Sequence, residues 1–308
     1  MQNVGMNIAI LGAGAWGTAM ALHLDRLGHR VTLTPRRMEQ ALALASEREN
    51  RDYLPGYRLP NSMQIGNEIA PVLMEAELVL LASPMAGLRG LCEAMARCGE
   101  ASWQIRLVAA LCKGLETETL KLPGAVMAEW LPAERIATLS GPSFADEVAR
   151  GLPTAVTLAS AGAPDAVLAE AQQALSGSSF RVYTSRDEVG VEIGGCLKNV
   201  YAIAAGVCDG LELGANAKAA LLTRALHEMA AHIGELGGEP ETLMGLGGFG
   251  DLVATCWGPL SRNRGFGERL GQGERPEAIL ADRQTVVEGV HSARAFHHLA
   301  TERGFEMP

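Results

Sequence analysis

The run MNIAILGAGAWGTAMALHLDRLGHRVTLTPRR, residues 6–37, decides the fold. It opens on NIAIL, a short apolar stretch of the kind buried on both faces of a parallel sheet. Gly12, Gly14 and Gly17 follow at G-x-G-x-x-G spacing, a helical pattern continues through Leu22 and Leu27, Gly28 stops it, and RVTLT reads as a second strand. Three needs account for the glycines: a tight turn, approach of the backbone to a pyrophosphate, and close helix-on-strand packing. The start of the helix offers free N–H groups and a positive dipole end to the phosphates. An ordinary glycine-rich turn is the alternative, but the setting between strand and helix, in a unit of βαβ length, is the one a dinucleotide site requires.

Beyond the second strand, an NAD site usually places Asp or Glu against the ribose hydroxyls. Here the chain reads Thr34-Pro35-Arg36-Arg37, with no carboxylate before Glu39. The pair Arg36 and Arg37 suits a 2′-phosphate, so NADP is expected in preference to NAD. Solvated charges opening the next helix are the other reading of the same arginines.

Outward from this unit the alternation persists. Residues 77–83 (ELVLLAS), 105–112 (IRLVAALC), 135–140 (RIATLS), 154–160 (TAVTLAS) and 180–185 (FRVYTS) read as strands, with helical patterns such as 88–98 and 164–175 between most of them. The expected fold class is α/β: an N-terminal Rossmann-type doubly wound sheet with extra strands over residues 6–186, then an all-helical C-terminal domain over 187–308. Ligands of such sheets bind at the carboxyl ends of the strands. Ser83-Pro84, Lys113-Gly114 and SGPSFADEV (140–148) stand there. Ser143 with Asp146 has the spacing of a capping box, which leaves capping alone as an alternative to ligand binding. Lys113 is either a site residue or a solvated side chain.

Composition narrows the classes of function. A net charge of −9 argues against nucleic acid as a partner while leaving room for a small anion held by a few convergent cations. Six cysteines stand without a CxxC or a metal-like cluster, so no metal is expected and the thiols read as free in a reducing, cytoplasmic setting. No run of about 20 apolar residues is apparent, so no membrane insertion is expected.

Strand signals cease after Ser185. A helix from about Asp187 to Cys208 carries IGGCLKNVYAIAAGVC (193–208), in which Lys198 is the one charged residue, and another helix runs from about Ala217 to Leu236. Ile193, Leu197, Val200, Tyr201 and Ala204 recur at helical spacing and would face a core. Lys198 shares a stripe with Gly194, Gly195, Ala202 and Ala205, small residues that leave room for a ligand. A lysine snorkelling to solvent is the alternative. Further on, GLGGFGDLVATC (245–256) reads as a glycine turn with no helix of its own ahead of Asp251, and Ser261-Arg262-Asn263-Arg264 as a donor-rich helix start suited to an anion or to a basic surface turn.

LGAGAWGTAMA, the KG at 113–114, SGPSFADEVARGLPTAV, LKNVYAIAAG, GFGDLVATC, GPLSRNRGFG and VVEGV occur in one order, and the chain from Met6 onward resembles the bacterial-type NAD(P)-dependent glycerol-3-phosphate dehydrogenases. The resemblance implies catalysis in a cleft between the two domains, with dihydroxyacetone phosphate reduced to sn-glycerol 3-phosphate for phospholipid synthesis. It implies that Lys198 is the proton donor and acceptor. Lys113, Gly141, Ser143, Asp251, Ser261, Arg262 and Asn263 would then line the substrate. Gly12, Gly14, Ala15, Trp16, Gly17, Arg36, Arg37, Lys113, Ala145, Arg262, Val286 and Glu288 would contact the cofactor. A homodimer is compatible with it. Departures are Cys112 where Thr is commoner, no Trp after the second strand, an extension over Met1–Gly5, and an end at FEMP where relatives continue into a further helix and tail. A β-hydroxyacid or 6-phosphogluconate-type dehydrogenase, which also pairs Lys with Asn, and a non-catalytic NADPH-binding protein are the competing expectations.

Overall fold

The structure is a computed structural model that describes residues 5–99, 104–281, 287–304 and 307. Contacts divide the chain into two units, one of residues 1–112, 124–139 and 143–186, the other of residues 113–123, 140–142 and 187–308. Two loops at the carboxyl ends of strands, including Lys113 and Gly141, therefore group with the helical unit.

In the first unit the strands are β1 (Asn7–Leu11), β2 (Arg30–Thr34), β3 (Glu49–Asn50), β4 (Leu54–Arg58), β5 (Gln64–Ile65), β6 (Leu78–Leu81), β7 (Leu107–Ala110), β8 (Ile136–Ser140), β9 (Thr154–Ala159) and β10 (Phe180–Ser185). The helices are α1 (Ala15–Arg26), α2 (Met38–Glu47), α3 (Ile69–Glu75), α4 (Met85–Arg97), α5 (Pro123–Met127), α6 (Ala145–Arg150) and α7 (Asp165–Leu175). Eight strands form one sheet in the order β10-β9-β8-β7-β6-β1-β2-β5, and its recorded strand pairs are parallel. Ile8, Ile10, Leu33 and Leu80 pack on one face with α1, while Ala9, Leu11, Val79 and Leu81 pack on the other with α4. Burial on both faces is why these strands are continuously apolar.

The second unit is helical among its described residues: α8 (Glu188–Gly210), α9 (Gly214–Glu235), α10 (Asp251–Trp257), α11 (Arg262–Gly271), α12 (Pro276–Leu280) and α13 (Glu288–Arg303). Its core gathers Ile193, Leu197, Tyr201, Leu222, Met229 and Phe296 around α8. The helices α8 and α11 meet backbone to backbone. A Cβ on Gly206 would stand 2.0 Å from the Arg264 carbonyl oxygen, and one on Gly267 would stand 1.9 Å from that of Ile203.

Four expectations need correction. The N-cap of α6 is Phe144 and not Ser143, and the Asp146 carboxylate accepts the Tyr57 hydroxyl at 2.6 Å. The glycine cluster does not end as a bare turn, since Leu246–Gly250 forms one π-helical turn that leads into α10. Tight packing explains the glycines there, because a Cβ on Gly248 would lie 2.3 Å from the Leu243 carbonyl and one on Gly194 would lie 2.9 Å from that of Gly247. Packing here outweighs the weak helix propensity of glycine. The helix α8 is in fact long and apolar enough to cross a membrane by length and composition, but most of it is buried, as befits a core helix. Finally, the β3–β4 hairpin and β5 had no counterpart in the strand pattern.

Candidate active site

The sheet order puts β1 between β6 and β2, so the turn after β1 lies where the winding of the chain changes direction. Gly12 has φ +120°, and a Cβ there would come within 2.3 Å of the Ala82 carbonyl oxygen. Gly14 is the N-cap of α1, with no side-chain cap bond and open space where a side chain would project. The first-turn N–H groups of Ala15, Trp16 and Gly17 have no intrahelical acceptor, as at any helix start, and no side-chain cap supplies one. The Ala13 carbonyl is pinned from the other side by Gln40 Nε2 at 2.9 Å and Asn50 Nδ2 at 3.0 Å. Two buried hydroxyls at the carboxyl ends of the flanking strands, Thr34 Oγ1 and Ser83 Oγ, have no hydrogen-bond partner among the described residues. Arg36 and Arg37 are exposed just past β2. An open glycine turn, buried hydroxyls without a partner among the described residues, and exposed cations fit a dinucleotide. Ser143 lies in the loop ahead of α6 and Ala145 is the first residue of that helix.

In the helical unit, Lys198 sits on α8 at 8 % exposure and Asp251 opens α10 at 1 %. Lys198 Nζ donates to Asp251 Oδ1 at 2.5 Å and to Thr255 Oγ1 at 2.9 Å, and Thr255 in turn donates to the Asp251 carbonyl at 2.6 Å. Lys113 Nζ donates to the other carboxylate oxygen at 2.5 Å and to the Gly141 carbonyl at 3.3 Å. One carboxylate thus bridges two ammonium groups. Gly195 stands close by: a Cβ there would press on Ser140 Oγ at 2.8 Å and touch the Lys113 stem at an ordinary 3.5 Å. The snorkelling alternative for Lys198 fails: its ammonium is paired and interior.

The electrostatics set the proton affinity of Lys198. Burial, which disfavours the charged form, lowers its pKa most; Asp251 raises it and Lys113 lowers it, leaving it at about 8. Glu288, at the start of α13, has its carboxyl pushed upward by burial, opposed by Arg262, Lys113 and Lys198. Such a lysine gives up or takes a proton near neutral pH, which an ordinary lysine does poorly.

Beside this cluster, Ser261 caps α11 by accepting the Arg264 N–H at 3.2 Å. Asn263 Nδ2 donates to Asn199 Oδ1 at 2.8 Å, and Asn263 Oδ1 accepts the Gly289 N–H at 2.9 Å. Asn199 Nδ2 is buried and has no partner among the described residues. Arg262 is exposed in the first turn of the helix. Val286, named as a cofactor contact, lies outside the described residues. Thr255 and Asn199 escaped the sequence reading; Thr255 stands four residues after Asp251 on one helix face, and that spacing was the available signal.

Residues 7–166 match the sequence model of the NAD-dependent glycerol-3-phosphate dehydrogenase N-terminus, and residues 187–308 that of the C-terminus. The chain is 48 % identical over 305 residues to the glycerol-3-phosphate dehydrogenase [NAD(P)+] of Thiobacillus denitrificans, covering 98 % of this chain and 90 % of that one. It is 47 % identical over 305 residues to the enzyme of that name from Halorhodospira halophila, covering 98 % and 89 %. The crystal structure of glycerol-3-phosphate dehydrogenase from Coxiella burnetii superposes with a TM-score of 0.92 at 38 % identity, over 99 % of this chain and 92 % of that one. D-mandelate dehydrogenase, at 17 % identity and a TM-score of 0.55, shares the fold alone. With both halves matched and nearly half of all residues identical to those of curated relatives, the chain belongs to the NAD-dependent glycerol-3-phosphate dehydrogenase family.

Proposed function

We propose that the chain reduces dihydroxyacetone phosphate to sn-glycerol 3-phosphate with NAD(P)H, in the cytoplasm and in support of phospholipid synthesis. The observation that carries the reading is the buried Lys198 ammonium, held with Lys113 on the single carboxylate of Asp251. Gly12, Gly14, Ala15, Trp16, Gly17, Arg36 and Arg37 would hold the reduced nicotinamide cofactor, which when bound would supply a hydride to the ketone carbon. Lys113, Ala145, Arg262 and Glu288 complete that set.

Lys198 donates the proton that the developing alkoxide needs, and its lowered pKa lets the neutral amine take the proton back in the reverse direction. Asp251 and Thr255 hold the ammonium in one orientation, which removes a search through rotamers from the barrier. Lys113, bound to the same carboxylate, places a second positive charge where the oxyanion forms. Ser261, Arg262 and Asn263 hold the substrate phosphate, joined by the unpartnered Asn199 Nδ2. Gly141 and Ser143 line the carbon chain.

The test is a single cuvette experiment. Purified chain is mixed with NADPH or with NADH, dihydroxyacetone phosphate is added, and absorbance is followed. Steady oxidation of cofactor is expected, faster with NADPH because of Arg36 and Arg37. No oxidation with either cofactor, in a chain that binds both, would leave a nucleotide-binding protein without this activity. Turnover of a β-hydroxyacid in its place would move the chain to another substrate class.

A further inference from the structure

The helical unit holds a second, partly buried charge cluster that the chemistry above does not use. Asp209, near the end of α8, accepts Lys218 Nζ on both carboxylate oxygens, at 2.9 and 2.7 Å, and Arg264 Nη1 on Oδ2 at 2.7 Å. Lys218 is itself only 6 % exposed and lies 5.2 Å from the centre of the Trp257 ring. Arg264 spans the turn that precedes α11. Its main-chain N–H donates to Ser261 Oγ, its Nε donates to the Gly258 carbonyl at 3.4 Å, and Nη1 also pairs with Glu268 at 3.2 Å. The guanidinium therefore closes residues 258–264 into one loop, and Asp209 fixes that loop to α8.

We propose that Asp209 is a positioning residue for the substrate phosphate: through Arg264 it sets where Ser261, Arg262 and Asn263 stand relative to Lys198. The proposal rests on the reading that those three residues hold the phosphate. Its physical basis is that α8 works as a ruler. Lys198 and Asp209 are eleven residues apart on one helix, a rise of about 16 Å. Besides the backbone packing of α8 on α11, two side-chain hydrogen bonds join the loop to that helix, Asn263 to Asn199 and Arg264 to Asp209. With both attachments made, the phosphate contacts and the proton donor are parts of one rigid frame, so binding energy from the phosphate is spent on aligning the ketone. With the Asp209 attachment lost, Ser261 still caps its helix but the loop shifts. A lysine at 264 could satisfy the carboxylate or the Gly258 carbonyl, not both, because it lacks the guanidinium fork.

The experiment measures kinetics of Asp209→Asn and Arg264→Lys with dihydroxyacetone phosphate and with unphosphorylated dihydroxyacetone, alongside thermal stability. Both variants are expected to lose at least tenfold in kcat/KM on the phosphorylated ketone, with kcat falling because the bound phosphate no longer aligns the ketone with Lys198. On the unphosphorylated ketone both should stay within twofold of the parent. Equal losses on the two substrates, tracking a lowered Tm, would mean that the cluster only stabilises the fold, and no loss on either would also overturn the proposal. Arg262→Ala, run in parallel, separates this from the reading beneath it. If that variant also loses both substrates equally, the phosphate assignment itself is wrong. If it is selective while Asp209→Asn is not, only the positioning role falls. Should Asp209→Asn fail to fold, Arg264→Lys, which keeps the charge, carries the same expectation and the same refutation.

Discussion

Replacing Asp251 by Asn isolates the electrostatics of the site. The carboxylate accepts both Lys198 and Lys113, one on each oxygen, and is the anion that favours the ammonium form of Lys198. At an effective dielectric of about 20 and a charge separation of about 4 Å, one such pair contributes about 4 kcal/mol, roughly a thousandfold in proton affinity. Water entry and side-chain relaxation will reduce this, and a drop of at least about tenfold is expected. Burial and the Lys113 charge both act to lower the Lys198 pKa, and in the variant nothing offsets them. Reduction of the ketone needs the ammonium, so kcat/KM in the parent should fall as pH rises through about 8. In Asp251→Asn the midpoint should lie below pH 7, with a lower plateau. Glycerol 3-phosphate oxidation, which needs the amine, should show the mirror profile, rising through the same midpoints. The assay is kcat/KM for both directions between pH 6 and 10, with thermal melts as a check, because breaking a buried ion pair costs about 3–5 kcal/mol. A midpoint unmoved by the substitution would refute the assignment of Lys198 as the titrating group.

Three further outcomes follow from the packing and the surface charges. Gly206→Ala and Gly267→Ala each drive a Cβ to 2.0 Å or less from a carbonyl oxygen across the α8–α11 contact, so each should destabilise by about 1–3 kcal/mol, read as a lowered denaturant midpoint. Arg36→Ala should lower the ratio of NADPH to NADH efficiency by about tenfold, the worth of a charge-assisted bond to a 2′-phosphate, and an unchanged ratio would mean the arginine is only solvated. His23 and His29, whose Nε2 atoms lie 2.8 Å from the Leu175 and Ala174 carbonyls, have pKa values held below the ordinary 6.5, chiefly by burial. The unfolded chain then binds protons more readily than the folded one as pH falls below 6.5. Stability should therefore be full above that pH and decline beneath it, and in the double variant His23→Gln/His29→Gln denaturation curves between pH 5 and 7 should be flatter.

The strands were legible because burial on both faces leaves uninterrupted runs such as LVLL at 78–81 and LVAA at 107–110. The β3–β4 hairpin was not, since NRDYLPGYR mixes charges with Pro55 and Gly56, and its place depends on the Asn50 amide reaching the Ala13 carbonyl 37 residues earlier in the chain. Lys198 stood out as a lone charge in an apolar helix, yet its partners, on Asp251 and Thr255, lie more than fifty residues away and only tertiary contact joins them. Ser143 misled because a capping-box spacing does not say where the helix begins; the backbone turns helical only after Phe144. Lys218 and Asp209 look like ordinary surface charges in sequence, and only the fold shows Lys218 buried and paired with Asp209.

The most direct measurement is turnover of Lys198→Ala with dihydroxyacetone phosphate, with and without added primary amines. General acid catalysis by this side chain predicts a loss of about 10²–10⁴ in kcat, partly restored by small alkylammonium ions in proportion to their concentration. A variant that keeps kcat within tenfold of the parent, or loses it with no response to any amine while cofactor and ketone still bind, contradicts the account.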